Sequence, residues 1–196
     1  MKTILVDCDD VLLEWRLGFR QFLAVHHKIE TAAAGPDDWC MGNWLGCSPE
    51  RAIELVQEFN ASRYFGELVP TFGSMTALND LYARGWHVAV VTSCGCDPVS
   101  VVRRTRNLTL VFRHLIDDIH CVPLGEPKGP VLATYPEGCF WIEDNYQNAV
   151  SGLAHGHKPF VIRKSHNLKH EGESLDGIVW VNSWLDIVRQ IPRADS

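Results

Sequence analysis

Residues 4–10, with the sequence ILVDCDD, join a short apolar run to an acidic cluster. A continuous apolar run of this length is typical of a strand in a parallel sheet that helices cover on both faces. Further runs of this kind lie at residues 86–91, 119–122, 139–142, 159–162 and 178–181. Because helix-like segments separate them, the sequence predicts an α/β fold, with the acidic cluster at the carboxyl edge of the first strand.

Residues 14–73 interrupt this alternation, because they contain helix signals but no clear strand. One signal is Ser48-Pro49-Glu50, which combines an N-cap serine, a first-turn proline and a glutamate that the helix dipole favours. A loop of this length is improbable in a compact domain, so we predict a small helical insertion. The core then consists of residues 1–13 and 74–196, and the insertion lies over the edge where open α/β sheets bind ligands.

The charge balance disfavours some classes of partner. The 196 residues include 18 basic and 24 acidic side chains, which gives a net charge of −6 with histidine neutral. We therefore expect no long nucleic acid and no membrane surface as the main partner, although a small anion is compatible with this charge. No apolar run reaches the roughly 18 residues of a membrane span, and no secretory signal is recognised, so a soluble, cytoplasmic protein is expected.

Three smaller features carry structural expectations. The seven cysteines are an odd number, and the Cys-Gly-Cys at residues 94–96 lacks zinc-site spacing, so buried thiols are expected rather than disulfides. Strand alternation predicts that Cys8 packs away from Asp7 and Asp9. Residues 192–196 are expected to form a frayed tail.

Polar side chains follow four of the predicted strands: Asp7 and Asp9, Thr92 and Ser93, Lys128, and Glu143 and Asp144. In a parallel sheet these groups converge on one edge. Carboxylates that meet there repel one another unless a cation holds them, and an all-oxygen ligand set favours Mg²⁺. One carboxylate can then act as a nucleophile that forms an acyl phosphate, and a second can act as general acid and base. A hydroxyl and an ammonium can hold the transferring oxygens.

The sequence motifs resemble those of the haloacid dehalogenase (HAD) superfamily. The segment VDCDDVL at residues 6–12 resembles its motif I, DxDx[T/V] after an apolar strand, and VVTS at residues 90–93 resembles motif II. Lys128 corresponds to motif III, and IEDN at residues 142–145 is similar to the "ED" form of motif IV. The four motifs stand in the family's order, and the insertion after motif I matches the place of its helical C1 cap. The resemblance implies a HAD-like Rossmannoid core with a C1 cap at residues 14–73.

The resemblance also implies a role for each aspartate of motif I. Asp7 would be the nucleophile and a metal ligand. Asp9 would be the general acid and base, and would bind the metal through its backbone carbonyl. An aspartate at the second position of the motif is found in the phosphatases and phosphomutases of the superfamily, so dehalogenation is disfavoured.

The remaining motifs supply the phosphate and metal sites in this interpretation. Thr92, Ser93 and Lys128 would hold the phosphoryl group, and Asp144, helped by Glu143, would complete a Mg²⁺ site. Two positions depart from the usual pattern. Asp10 stands where many members have glycine, which adds charge and limits the local backbone, and Asn148 stands where some members carry another acid.

The substrate is expected to be a small phosphorylated metabolite. A loose resemblance to cytosolic 5′(3′)-deoxyribonucleotidases and to HAD phosphatases of phages makes a (deoxy)nucleoside 5′-monophosphate the sharpest hypothesis. Trp15, Trp39 and Trp44 would stack on a base, or would simply build the core of a small cap. Arg16, Arg20 and Arg63 would neutralise an anion or would be solvated. A sugar phosphatase, a phosphomutase, and a non-catalytic binding protein on this scaffold remain open, as does a homodimer.

Overall fold

A computed structural model of the protein describes residues 2–95 and 97–194, so the prediction for the cysteine at position 96 lies outside the described residues. Six parallel strands form one sheet with the spatial order β3-β2-β1-β4-β5-β6. The strands are β1 Thr3–Val6, β2 His87–Ser93, β3 Asp118–Val122, β4 Phe140–Glu143, β5 Lys158–Ile162 and β6 Val179–Val181. The predicted α/β fold with a parallel sheet is confirmed.

Eight α-helices accompany these strands within the described residues. They are α1 Trp15–Phe22, α2 Gly42–Leu45, α3 Pro49–Asn60, α4 Ser74–Ala83, α5 Pro98–Phe112, α6 Gly129–Leu132, α7 Tyr146–Ala154 and α8 Trp184–Gln190. As the sequence predicts, α3 begins at an N-cap serine, because the Ser48 hydroxyl accepts from the Arg51 amide. Asp97 caps α5 in the same way. None of the helices in the described part of the chain is both long and apolar enough to cross a membrane.

Strand β1 occupies the centre of the sheet, where the sequence places the first acidic cluster. Its last residue, Val6, is in register with Val90 of β2 on one side and with Ile142 of β4 on the other. The Asp7 amide then donates to the Ile142 carbonyl at 2.8 Å. Since all three strands run in the same direction, the residues that follow them meet at one carboxyl edge.

The segment between β1 and α4 is helical, and its two connections to the core run side by side. The Glu14 amide donates to the Val69 carbonyl at 2.9 Å, and the Thr71 amide donates to the Leu12 carbonyl at 2.9 Å. Besides α1, α2 and α3, the segment contains a π-helical turn at Leu23–His27 and a 3₁₀ turn at Arg63–Gly66. Buried aromatic rings form its interior: Trp15, Phe19, Phe22, Phe59 and Phe65.

The structure differs from the sequence expectations at the carboxyl terminus. The Ala194 amide donates to the Arg84 carbonyl at 3.1 Å, and the Trp86 indole donates to the Pro192 carbonyl at 2.7 Å. Residues 192–194 therefore pack against the turn before β2, and the expectation of a frayed tail is wrong for them. Residues 195–196 lie outside the described part.

Candidate active site

Asp7 and Lys128 form the centre of the site at the carboxyl edge of β1. The Lys128 ammonium donates to Asp7 Oδ1 at 2.5 Å and to Glu143 Oε1 at 2.9 Å, and only 2% of its side chain is exposed. Lys128 immediately precedes α6, so its backbone is fixed where the helix begins. Burial lowers the pKa of Lys128, but the charges of Asp7 and Glu143 outweigh burial, and its pKa lies above the usual value.

Glu143 is a fully buried carboxylate whose two oxygens accept four donors. Oε1 accepts from Lys128 and from the Asn148 side-chain amide at 2.6 Å. Oε2 accepts from the Asp144 and Asn145 amides at 2.8 and 3.3 Å. Burial alone would raise the pKa of Glu143, but Lys128 and these hydrogen bonds lower it below the usual value. This geometry suits Glu143 to orient Lys128, and the hydrogen bond from Asn148 holds Glu143 in place.

Asp144 completes a cluster of three buried carboxylates with Asp7 and Glu143, hereafter the carboxylate cluster. Each residue offers one oxygen, and the three oxygens lie within 4.8 Å of one another. The Asp144 carbonyl accepts from the Asn167 side-chain amide at 2.7 Å, and His166 Nε2 lies 3.4 Å from Asp144 Oδ2. Burial lowers the pKa of His166, which disfavours the positively charged form of the ring.

The charge of the carboxylate cluster fits a divalent cation. Burial raises the pKa of Asp7 well above the usual value, and the neighbouring Glu143 raises it further, against the effect of Lys128. Burial likewise raises the pKa of Asp144, and the charges of Glu143 and Asp7 add to this. Three carboxylates thus share one ammonium, and a hard cation bound by Asp7 and Asp144 would balance the remaining charge.

Thr92 provides a buried hydroxyl next to this edge. It lies near the end of β2, is fully buried, and its Oγ1 has no hydrogen-bond partner among the described residues. A buried hydroxyl without a partner is costly, so this position is suited to a polar ligand such as a phosphoryl oxygen. Ser93 follows at the strand end and is half-buried. Their roles in phosphate binding stay predictions.

Asp9 lies outside the carboxylate cluster, and its Oδ1 accepts a hydrogen bond from Nη2 of Arg104 on α5. Nη1 of the same guanidinium donates to Cys8 Sγ at 2.9 Å. Cys8 is buried as expected. Its Sγ and Asp9 Oδ1 contact the same guanidinium, so the prediction that Cys8 points away from Asp9 is wrong. The strand ends at Val6, so the alternation of side chains does not continue to these residues.

Asp10 adopts a left-handed backbone conformation with a φ of 56°. Asparagine and aspartate tolerate this region better than most residues, which explains how an aspartate replaces the usual glycine. Its Oδ1 accepts from the Arg16 amide at 3.0 Å, in the first turn of α1. Asp10 therefore stabilises the start of the inserted segment, since a carboxylate at a helix amino terminus is favourable.

The three candidate tryptophans occupy different environments. Trp15 is buried against Phe19 and Phe59, so its ring belongs to the interior of the inserted segment rather than to a surface offered to a ligand. Trp44 is half-buried, and its indole donates to a backbone carbonyl at 3.1 Å. Trp39 is 56% exposed, and its ring meets His166 edge-to-face at 5.4 Å. His166, which contacts Asp144, thus lies between Trp39 and the carboxylate cluster.

Arg104, His166 and Asn167 contact the site but do not stand out in the sequence. Arg104 lies within a helix, and the other two follow β5 without any motif. The sequence carries only a weak signal for Arg104, an arginine on the apolar face of an amphipathic segment. Arg16 donates to Ser165 Oγ at 3.3 Å, and Arg20 donates to Thr31, so both arginines bind within the protein.

No family model and no curated protein sequence matches the chain. Solved structures do match over nearly all of it. A haloacid dehalogenase-like hydrolase from Streptococcus pneumoniae matches with a TM-score of 0.70 at 13% identity, covering 96% of this chain and 97% of that one. The D,D-heptose 1,7-bisphosphate phosphatase of B. bronchiseptica, complexed with magnesium and phosphate, matches with a TM-score of 0.60 at 13% identity, covering 97% of each chain.

A third similar structure is a putative β-phosphoglucomutase from Thermotoga maritima. It has a TM-score of 0.61 at 17% identity, and the match covers 98% of this chain and 100% of that one. Identities this low carry information about the fold. The likenesses agree with the parallel sheet of the structure. The chain has the fold of the haloacid dehalogenase superfamily.

Proposed function

We propose that the protein is a phosphomonoester hydrolase that works through an aspartyl-phosphate intermediate on Asp7. The observation that carries this proposal is the combination of the Asp7 carboxylate with the Lys128 ammonium and the unpartnered Thr92 hydroxyl. A nucleophile, a cation and a buried donor at one sheet edge are the groups that phosphoryl transfer requires. The inserted residues 14–73 are the C1 cap in this proposal.

The reaction has two halves. In the first, an Asp7 oxygen bonds to phosphorus as the bond from phosphorus to the leaving oxygen breaks. The leaving oxygen takes the proton of the Asp9 carboxyl. In the second, the Asp9 carboxylate takes a proton from water as the water oxygen bonds to phosphorus and the bond between phosphorus and the Asp7 oxygen breaks. Phosphate then leaves, and Asp7 and the protonated Asp9 are restored. Lys128 and Thr92 hold the phosphoryl oxygens throughout.

A magnesium ion fits the same site. Asp7 and Asp144 would hold it with their carboxylates, and Asp9 with its backbone carbonyl. Glu143 would support Asp144 and Lys128, because its own oxygens already accept four donors. The ion would neutralise negative charge on the transferring group. Similar solved structures contain phosphate with magnesium or with sodium, which supports this assignment.

The substrate we propose is a small phosphorylated metabolite, with a (deoxy)nucleoside 5′-monophosphate as the first choice. Exposed Trp39 next to His166 supports it, since a flat ring near the metal-site residue Asp144 is suited to stacking on a base. Sugar phosphates are the alternative, because similar structures include a sugar bisphosphate phosphatase and a putative phosphoglucomutase.

Phosphate release from a panel of monophosphates tests the proposal. The panel contains deoxynucleotides, ribonucleotides, sugar phosphates and a 3′-phosphorylated oligonucleotide, each with Mg²⁺ and with EDTA. We expect metal-dependent release that Asp7→Asn abolishes without unfolding the protein. Trp39→Ala should raise KM for a nucleotide but leave KM for a sugar phosphate unchanged. Full activity of Asp7→Asn would overturn the mechanism, and phosphate transfer between positions of a sugar phosphate would identify a mutase.

A further inference from the structure

Arg104 is a fully buried arginine at the meeting point of the sheet edge and the inserted segment. Its guanidinium donates to Asp9 through Nη2 and to Cys8 Sγ through Nη1. Its Cζ atom lies over the Phe65 ring, 4.1 Å from the ring centre, in the 3₁₀ turn of the inserted segment. Arginine is rarely buried to this extent without a partner that compensates its charge.

Asp9 is the partner that compensates this charge when its carboxyl group is ionised. Among the described residues, it is the carboxylate that forms an ion pair with Arg104, while Lys128 pairs with the carboxylate cluster. The side chain of Asp9 keeps 26% of its surface exposed, whereas that of Arg104 has none. A substrate can therefore reach the carboxyl group of Asp9 from one side while Arg104 holds it from the other.

The geometry also limits how Arg104 can move. Nη1 and Nη2 are both engaged, and Cζ lies over the ring of Phe65. Asn107, which also lies on α5, forms hydrogen bonds with both the amide and the carbonyl of Leu68, at 3.1 and 3.0 Å. Arg104 and Asn107 therefore both contact the inserted segment. The orientation of Arg104 is set by core and insertion together.

We propose that Arg104 is a positioning residue that aims the carboxyl group of Asp9 at the leaving oxygen of the substrate. This inference rests on the proposed function. Arg104 itself does not exchange a proton. When the Asp9 proton passes to the leaving oxygen, the resulting carboxylate remains held by the guanidinium, in place for the water of the second half-reaction.

Leaving-group dependence tests this role, because a misplaced acid harms only those substrates that need its proton. We would measure single-turnover release of the leaving group from an alkyl phosphate and from 4-nitrophenyl phosphate, with enzyme in excess. In Arg104→Lys, which keeps the charge but loses the planar fork, the rate for the alkyl ester should fall about tenfold or more relative to the aryl ester. Phe65→Leu should shift the ratio in the same direction by a smaller factor.

Arg106→Lys is the matched control, because Arg106 is exposed on the same helix. Its ratio of alkyl to aryl rates should equal that of the wild type. An unchanged ratio of alkyl to aryl rates would overturn the positioning role. This would be seen if Arg104→Lys slowed both esters equally, or if neither Arg104→Lys nor Phe65→Leu altered the ratio. The phosphatase would remain intact in either case. If the wild type released neither leaving group, the proposed function itself would fail.

Discussion

Lys128→Met tests the charge balance of the site through stability. The substitution removes the ammonium that contacts Asp7 and Glu143 and leaves an apolar chain of similar length in its place. Three buried carboxylates then remain without a compensating cation. Breaking a buried ion pair by removing one partner costs about 3–5 kcal/mol. Since a domain is stable by only about 5–15 kcal/mol, this is a large part of the total.

The stability lost in Lys128→Met should depend on pH, and the pKa shifts fix the direction of this dependence. The pKa values of Asp7 and Asp144 are already raised by burial and by neighbouring carboxylates, and removing Lys128 raises that of Asp7 further. A carboxyl whose pKa is higher in the folded than in the unfolded state contributes stability below the unfolded pKa. That contribution is lost as the pH rises through the folded pKa. The variant should therefore lose more stability at about pH 8 than at about pH 5.

Urea unfolding in EDTA, followed by circular dichroism at both pH values, provides the measurement. The control is Lys158→Met, which removes an exposed lysine and should change the unfolding free energy by no more than about 0.5 kcal/mol. A Lys128→Met protein as stable as the control at the higher pH would refute the charge balance. A larger loss at the lower pH would refute the assigned sign.

Three further predictions concern other parts of the structure. Asn107→Ala should destabilise the protein by about 2–4 kcal/mol in urea unfolding, because it leaves the buried amide and carbonyl of Leu68 without partners; a loss below about 0.5 kcal/mol would contradict this. Mg²⁺ binding should release protons, and should tighten as the pH rises, because the pKa values of Asp7 and Asp144 are raised in the metal-free protein; calorimetry in buffers of different ionisation enthalpy would detect this, and proton uptake would disprove it. Trp15→Leu should cost about 2 kcal/mol of stability without changing KM, and an increased KM at unchanged stability would instead assign this ring to the substrate.

The strands and most helices could be predicted because their signals are local. Continuous apolar runs mark buried strands, and Ser48 and Asp97 mark helix starts by hydrogen bonds to amides three residues away. The order of the strands is not local. The apolar run of one strand does not determine that β1 pairs with both β2 and β4. The central position of Asp7 therefore follows only from the observed sheet.

The candidate site shows the same division. Asp7 and Asp144 directly follow strands, and Thr92 is the last residue but one of β2. A parallel sheet brings such positions together regardless of the loops between them. Arg104 and His166 reach the site through tertiary packing, from a helix and from a loop. Their contacts depend on how α5 and the residues after β5 dock, which periodicity and spacing do not encode.

The paired connections at Leu12–Glu14 and Val69–Thr71 affect how this fold can change. The chain leaves the core and returns to it at nearly the same point, where Leu13 bridges to Pro70. A segment held by two adjacent anchors can be lengthened, shortened or exchanged without moving β1 or α4, because the ends it must join stay fixed. A grafted segment must, however, supply a ring in the place of Phe65, because Arg104 packs against it.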